Sequence, residues 1–131
     1  MSAAKSSATW YAAWPTAWGP IGAAATEAGI CRLLLPHYQL DDLDQLLAWE
    51  CSQARRDPAP FAELISLSQA YFSGEVVDFA DVAVDLPGKR SFSGQVYRAA
   101  RELGYGQTCS YSELARKIER PDAARAVATA L

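Results

Sequence analysis

The chain has 131 residues and a mass of 14.2 kDa, which is enough for one ordinary domain or two very small ones. Half of the residues are hydrophobic and 21% are charged, and no apolar run reaches the roughly 20 residues that a membrane-spanning helix needs. Pro15 and Pro20 interrupt the N-terminal stretch, so it lacks the apolar core of a signal peptide. This composition excludes a membrane-spanning chain, and we expect a soluble, cytoplasmic protein.

The charge is divided unevenly along the chain. Residues 1–86 carry four basic and eleven acidic side chains, a net charge of −7, whereas residues 87–131 carry eight basic and four acidic ones, a net charge of +4. A basic half joined to an acidic half is typical of a protein in which only one half meets a polyanion. The second half is therefore the candidate for nucleic-acid binding.

The potential metal ligands are few and scattered. Cys31, Cys51 and Cys109 are widely spaced and form no CxxC pair, and His37 is the only histidine. This pattern predicts free thiols rather than disulfides, and neither a metal site nor a cofactor is expected.

The first segment predicts a sheet. Runs rich in Trp, Tyr, Ile and Leu are broken by Gly-Pro at Gly19 and by a turn at 27–29. They predict an antiparallel meander with strands near 9–14, 20–26 and 30–35.

Two helices are predicted after the meander. An apolar spacing of three and four follows Asp41 and Asp42, which suit the positive end of a helix. A second helix is predicted over 60–72, with Gly74 as its C-terminal cap. The alternating stretch 76–86 predicts an extended connector or an edge strand.

We place the domain boundary near Pro87-Gly88, with an α/β domain over 1–86 and a helical domain over 87–131. In the helical domain, Ser91 caps a longer helix that ends at Gly104. A second, short helix begins with a capping box, and a third begins at Pro121 and Asp122. The capping box is formed by Ser110 and Glu113. Two short helices after a longer one describe a helix-turn-helix, so the predicted fold class is α+β.

Five motifs occur along the chain in a specific order and spacing. They are QAYFSG (69–74), DLPG (85–88), FSGQVY (92–97), GYGQTCSYSELA (104–115) and RPDAARAV (120–127). Through them the chain resembles the O6-alkylguanine-DNA alkyltransferase family over about 67–131, with a looser match in the N-terminal meander. The resemblance implies an α/β N-terminal domain and a winged-helix-like DNA-binding domain. It also implies DNA repair by flipping an alkylated guanine out of the duplex and transferring its O6 alkyl group, once only, to a cysteine of the protein.

The resemblance also implies the roles of five residues and the partner. Arg125 enters the base stack from the recognition helix and fills the space of the flipped base, and Tyr111 presses on the phosphate of the target nucleotide. Ser93, Ser112 and Arg120 make further contacts to the DNA backbone. The expected partner is double-stranded DNA containing O6-alkylguanine, bound by a monomer. If the family resemblance is set aside, the residues around Arg125 indicate an alanine-rich packing helix with one solvated arginine, and Tyr111 indicates a surface aromatic side chain.

In the family, the acceptor cysteine lies in a Pro-Cys-His-Arg motif beyond the recognition helix, and this sequence ends at Leu131 before such a motif. Transfer needs a thiolate beside a histidine, because a thiol with a pKa of about 8.5 is mostly protonated at neutral pH. Cys31 and Cys51 are expected in the core, and Cys109 has no histidine in its domain. We therefore expect no catalytic residue and no alkyl transfer within these 131 residues.

We also expect an incomplete core in the second domain. A segment beyond Leu131 would cover apolar side chains such as Phe92, Val96 and Val127. Their exposure predicts a low or broad melting transition.

Two other classes of protein remain open. One is a lesion-binding protein without transfer activity, although such relatives are typically single domains. The other is a transcription regulator that reads sequence in the major groove. That activity favours polar base-reading side chains along the second helix, where this sequence has mostly alanine and Arg125.

Overall fold

The computed structural model describes residues 8–86, 88 and 90–131. The chain divides into two compact units, Met1–Asp85 (the N-terminal unit) and Leu86–Leu131 (the C-terminal unit). Pro87, at the predicted boundary, lies outside the described residues. No helix among the described residues is both long enough and apolar enough to cross a membrane.

A four-stranded sheet forms the centre of the N-terminal unit. Its strands are β1 (Trp10–Trp14), β2 (Ile21–Thr26), β3 (Gly29–Leu34) and β4 (Arg55–Arg56), in the order β3-β2-β1-β4. The first three are antiparallel, which confirms the predicted meander. The fourth pairs parallel with β1 and was not predicted, because a two-residue strand is too short to show the alternation that identifies strands.

Each face of the sheet is covered by one helix. On one face, α1 (Leu40–Glu50) packs so closely that a Cβ on Gly22 would lie 2.7 Å from a methyl group of Leu47. On the other face, Trp14 contacts Phe61, in a 3-10 turn that leads into α2 (Ala62–Phe72). The indole Nε1 of Trp14 donates a hydrogen bond to Ser68 Oγ at 2.9 Å, so this buried polar pair is satisfied.

The segment that follows α2 is hydrogen-bonded to the sheet at the C-terminal end of the segment. Gly74 ends the helix with a φ of +94°, as predicted for a C-terminal cap. The predicted connector or edge strand forms only one isolated bridge, between Val84 and Ile30. In addition, Thr26 Oγ1 donates a hydrogen bond to Asp85 Oδ2 at 2.7 Å.

The described residues of the C-terminal unit form three helices: α3 (Phe92–Arg101), α4 (Tyr111–Lys117) and α5 (Ala124–Ala130). The side chains that meet in their core are those of Val96, Ala99, Leu114, Ala115 and Val127. The expectation that Val96 and Val127 would be uncovered is wrong, since both are 0% exposed. Val127 is buried because α5, although short, packs between α3 and α4.

The predicted helix ends need correction at two places. Pro121 and Asp122 lie in a turn rather than in the first helical turn, and α5 begins at Ala124. The turn is closed by a hydrogen bond from the Ala123 N–H to the Arg120 carbonyl at 3.0 Å. The first helix of the C-terminal unit, α3, ends at Arg101 and does not extend to Gly104.

Candidate nucleic-acid interface

Helix α4 is fixed at its start by the predicted capping box. Ser110 Oγ accepts a hydrogen bond from the Glu113 N–H at 3.0 Å, and the Glu113 carboxylate accepts one from the Ser110 N–H at 3.4 Å. The two groups satisfy backbone donors that have no partner within a helix of only seven residues. The cap therefore fixes the position of Tyr111, the first residue of α4.

The far end of α4 is closed by a Schellman motif. The Arg120 N–H donates to the Ala115 carbonyl at 2.9 Å, and the Glu119 N–H donates to the Arg116 carbonyl at 3.0 Å. Glu119 takes the left-handed position of this motif, with a φ of +61°. Glycine is the usual residue at this position. Here a glutamate adopts the left-handed conformation that leads the chain into the turn before α5.

Helix α5 is oriented by its buried side and its C-terminal end. Val127 is buried, and the Tyr97 hydroxyl on α3 donates a hydrogen bond to the Ala130 carbonyl at 2.8 Å. The exposed strip of α5 then consists of Arg125, Ala126 and Thr129. Arginine is the only long side chain on this strip, so the helix backbone beside it is open to close approach.

The residues to which the family resemblance assigns DNA contacts all lie in the C-terminal unit. Tyr111 is 54% exposed, and Ser112, Arg120 and Arg125 are exposed as well. Ser93, the second residue of α3, is half-buried. Four of the five side chains are therefore accessible on α4, α5 and the turn that joins them.

The cations at these positions have no partner in the described part of the chain. Arg120 and Arg125 form no ion pair within residues 8–86, 88 and 90–131, unlike Arg32, which pairs with Glu50, and Arg56, which pairs with Asp44. Their charge is therefore available to an external anion. A further exposed cation on α4, Arg116, was not predicted as a contact residue. Its spacing of four residues from Ser112 places it on the same face of α4 as that residue.

The cysteines occupy structural positions. Cys51 is buried at the end of α1, and Cys31 is half-buried in β3. Burial raises the pKa of the Cys31 thiol, and nearby Cys51 and Asp85 raise it further. Cys109 packs against the core of the C-terminal unit, and its thiol donates a hydrogen bond to the Ser110 carbonyl at 3.4 Å. The described residues contain no group of three side chains suited to hold a metal ion.

Comparison with known proteins follows the division into two units. Residues 10–86 match the model for the ribonuclease-like domain of 6-O-methylguanine DNA methyltransferase, and residues 91–131 match the model for the DNA-binding domain of the same family. Together the fold and these matches define an α/β domain followed by a helical DNA-binding domain. The chain belongs to the 6-O-methylguanine DNA methyltransferase family.

Individual relatives agree with this assignment. A methylated-DNA--protein-cysteine methyltransferase of Mycolicibacterium paratuberculosis is 43% identical over 74 residues, which are 56% of this chain and 44% of the relative. One of Haemophilus influenzae is 35% identical over 78 residues, 59% of this chain and 43% of the relative. The aligned part of this chain thus spans less than half the length of these curated relatives.

A solved structure resembles the chain over more of its length. The crystal structure of Mycobacterium tuberculosis OGT in complex with DNA matches with a TM-score of 0.73 and 30% identity, covering 93% of this chain and 68% of the solved one.

Proposed function

We propose that this chain serves the direct repair of DNA alkylated at O6 of guanine. The observation that carries the proposal is the exposed Arg125, which has no ion-pair partner among the described residues and lies on an alanine-rich helix that follows the capped helix of Tyr111. Membership of the family and the DNA-bound relative support it. The partner is then double-stranded DNA containing O6-alkylguanine, bound by a monomer in the cytoplasm at the nucleoid.

Access to the alkyl group requires base flipping. The alkyl carbon on O6 of a stacked guanine cannot be reached in line by a sulfur nucleophile, so the base has to leave the stack. In our proposal Arg125 enters the gap from the minor groove and takes the place of the base. Ala126 and Ala128 help, because side chains without bulk let α5 approach the sugar-phosphate walls.

Contacts to the DNA backbone hold the protein in register with the lesion. We assign Tyr111 to the phosphate of the target nucleotide, where its ring favours the rotated, extrahelical position. Ser93, Ser112 and Arg120 are assigned to neighbouring phosphates, since hydroxyl and guanidinium groups are common phosphate donors. Such contacts position the protein without reading sequence, as a repair protein requires.

Transfer itself is a substitution at the alkyl carbon. A cysteine thiolate forms a carbon–sulfur bond, the carbon–O6 bond breaks, and guanine leaves with the electron pair and takes up a proton.

We propose that none of the three cysteines in residues 1–131 is this acceptor. Cys51 is buried, Cys31 is half-buried in β3 where burial raises the pKa of its thiol, and Cys109 packs on the core. A polypeptide of these 131 residues should take up no labelled methyl from O6-methylguanine DNA, whereas labelling of Cys109 would refute this assignment.

The test of the binding function compares two duplexes that differ only in one methyl group. The chain should bind a duplex with a single O6-methylguanine more tightly than the unmodified duplex at the same salt concentration. Equal binding would contradict lesion recognition. Tight binding to one undamaged sequence would instead indicate a transcription regulator. Preference for the lesion without transfer in a protein carrying the complete acceptor region would indicate a lesion-binding protein.

A further inference from the structure

The last turn of α4 carries two adjacent cations, Arg116 and Lys117, that lie on different sides of the helix. Lys117 and Ile118 line a shallow cavity of about 360 Å³, whose opposite wall is formed by α3. That wall includes Arg98 and Glu102. Lys117 therefore lies on the side of α4 that faces α3, where both charge signs are present.

Arg116 lies on the other side. Successive residues of an α-helix are about 100° apart, so Arg116 is turned well away from the direction of Lys117. It lies one helical turn after Ser112, and residues four apart share a helix face. Arg116 is absent from the lining of the cavity, in agreement with this placement. The side of α4 that carries Ser112, one of the proposed backbone contacts, thus continues to Arg116.

The charge of Arg116 is not neutralised in the described part of the chain. Its side chain is exposed and forms no ion pair within residues 8–86, 88 and 90–131. The nearest acidic residue before it on α4 is Glu113, whose carboxylate accepts the Ser110 N–H in the capping box. Arg116 also takes part in the Schellman motif at the end of α4, since its carbonyl accepts the Glu119 N–H. The motif fixes the backbone between Arg116 and Arg120, two cations whose guanidinium groups form no ion pair with any described residue.

We propose that Arg116 contacts a DNA phosphate and, with Ser112 and Arg120, forms a strip that follows one backbone strand beside the lesion, whereas Lys117 does not touch DNA. This inference rests on the proposed function, because it uses the same DNA-facing side of the C-terminal unit. It adds a residue that extends the backbone contacts along the full length of α4. A guanidinium at this place would contribute affinity for any duplex and no preference for the lesion.

The two neighbouring cations provide a matched pair of variants. Arg116→Gln and Lys117→Gln each remove one positive charge from the last turn of α4, so their effects on the helix dipole are alike. Binding to an unmodified duplex is measured by fluorescence anisotropy over a series of salt concentrations. Arg116→Gln should lower the slope of log affinity against log salt by about one, and Lys117→Gln should leave it unchanged. Arg116→Lys should keep the wild-type slope, because a phosphate contact needs only the charge.

Three outcomes would overturn the proposal: equal loss of slope in both glutamine variants, no loss in either, or loss in Lys117→Gln alone. Circular dichroism melting of each variant checks that α4 remains folded, and Arg116→Ala, which also removes the charge and is a good helix former, supplies the result if Arg116→Gln does not fold. The proposed function is tested separately by lesion preference, which depends on Arg125. Absence of lesion preference with a normal Arg116 effect would refute repair while leaving the phosphate contact intact.

Discussion

The backbone N–H of Arg120 reaches back across the end of α4 to the carbonyl of Ala115, with an N···O distance of 2.9 Å. This bond ends α4 and directs the chain into the turn before α5. Because the capping box fixes the other end, the seven residues of α4 are held at both termini. The positions of Tyr111 and Arg120 therefore depend on local hydrogen bonds that the sequence of α4 itself provides.

Glu119→Gly should stabilise the C-terminal unit. Glu119 has a φ of +61°, a conformation that costs an L-residue roughly 1–2 kcal/mol and costs glycine almost nothing. We expect a gain of about 1 kcal/mol in the free energy of unfolding, measured by urea denaturation. Glu119→Ala removes the same carboxylate and keeps the strain, so it should give no gain. Equal effects of the two substitutions would assign the change to charge rather than to backbone conformation.

Gly29→Ala should destabilise the N-terminal unit severely. A Cβ at this position would lie 2.5 Å from the carbonyl carbon and oxygen of Ala83, and Gly29 also has a φ of +141°. The clash is relieved only if the segment around Ala83 moves away from the sheet. We therefore expect the free energy of unfolding, measured by thermal or urea denaturation, to fall by about 2 kcal/mol or more.

Gly74→Ala provides the control for this substitution. Its φ of +94° is also unfavourable for alanine, but no heavy atom lies within 4 Å of the added Cβ. We expect a loss of about 1 kcal/mol from backbone strain alone. Equal losses at Gly74 and Gly29 would show that the close approach of Ala83 is unimportant.

Tyr97→Phe should loosen α5. The substitution removes the 2.8 Å hydrogen bond to the Ala130 carbonyl and keeps the ring in the core, so we expect a loss of about 1 kcal/mol in unfolding free energy. Hydrogen exchange at the amides of α5 should speed up more than exchange in α3. Unchanged exchange in α5 would mean that Val127 alone holds this helix.

The sequence predicted the elements that have strong local signals. The three strands, the capping box of Ser110 and Glu113, and the cap at Gly74 were all confirmed. The start of α5 was predicted too early, because proline and aspartate favour a first helical turn and equally favour the turn that precedes one. The burial of Val127 could not be predicted, since it depends on how α5 packs against two other helices.

The candidate site was only partly readable from the sequence. Tyr111 and Arg125 were predicted as DNA contacts from the motifs around them, and their exposure came from the structure. Arg116 and Lys117 look equivalent in the sequence, as two basic residues in one turn. Only the packing of α3 against one side of α4 separates them.

The most direct test of the account is the lesion preference of Arg125→Ala compared with Arg120→Ala. Each substitution removes one exposed arginine that forms no ion pair in the part of the chain that the structure describes, and binding is measured to duplexes with and without a single O6-methylguanine. We predict that Arg120→Ala weakens binding to both duplexes by the same factor. Arg125→Ala should reduce the preference for the methylated duplex by about tenfold, because the flipped base loses the group that replaces it in the stack. If Arg125→Ala keeps the wild-type preference, Arg125 does not stabilise the flipped state and the proposed mechanism is wrong.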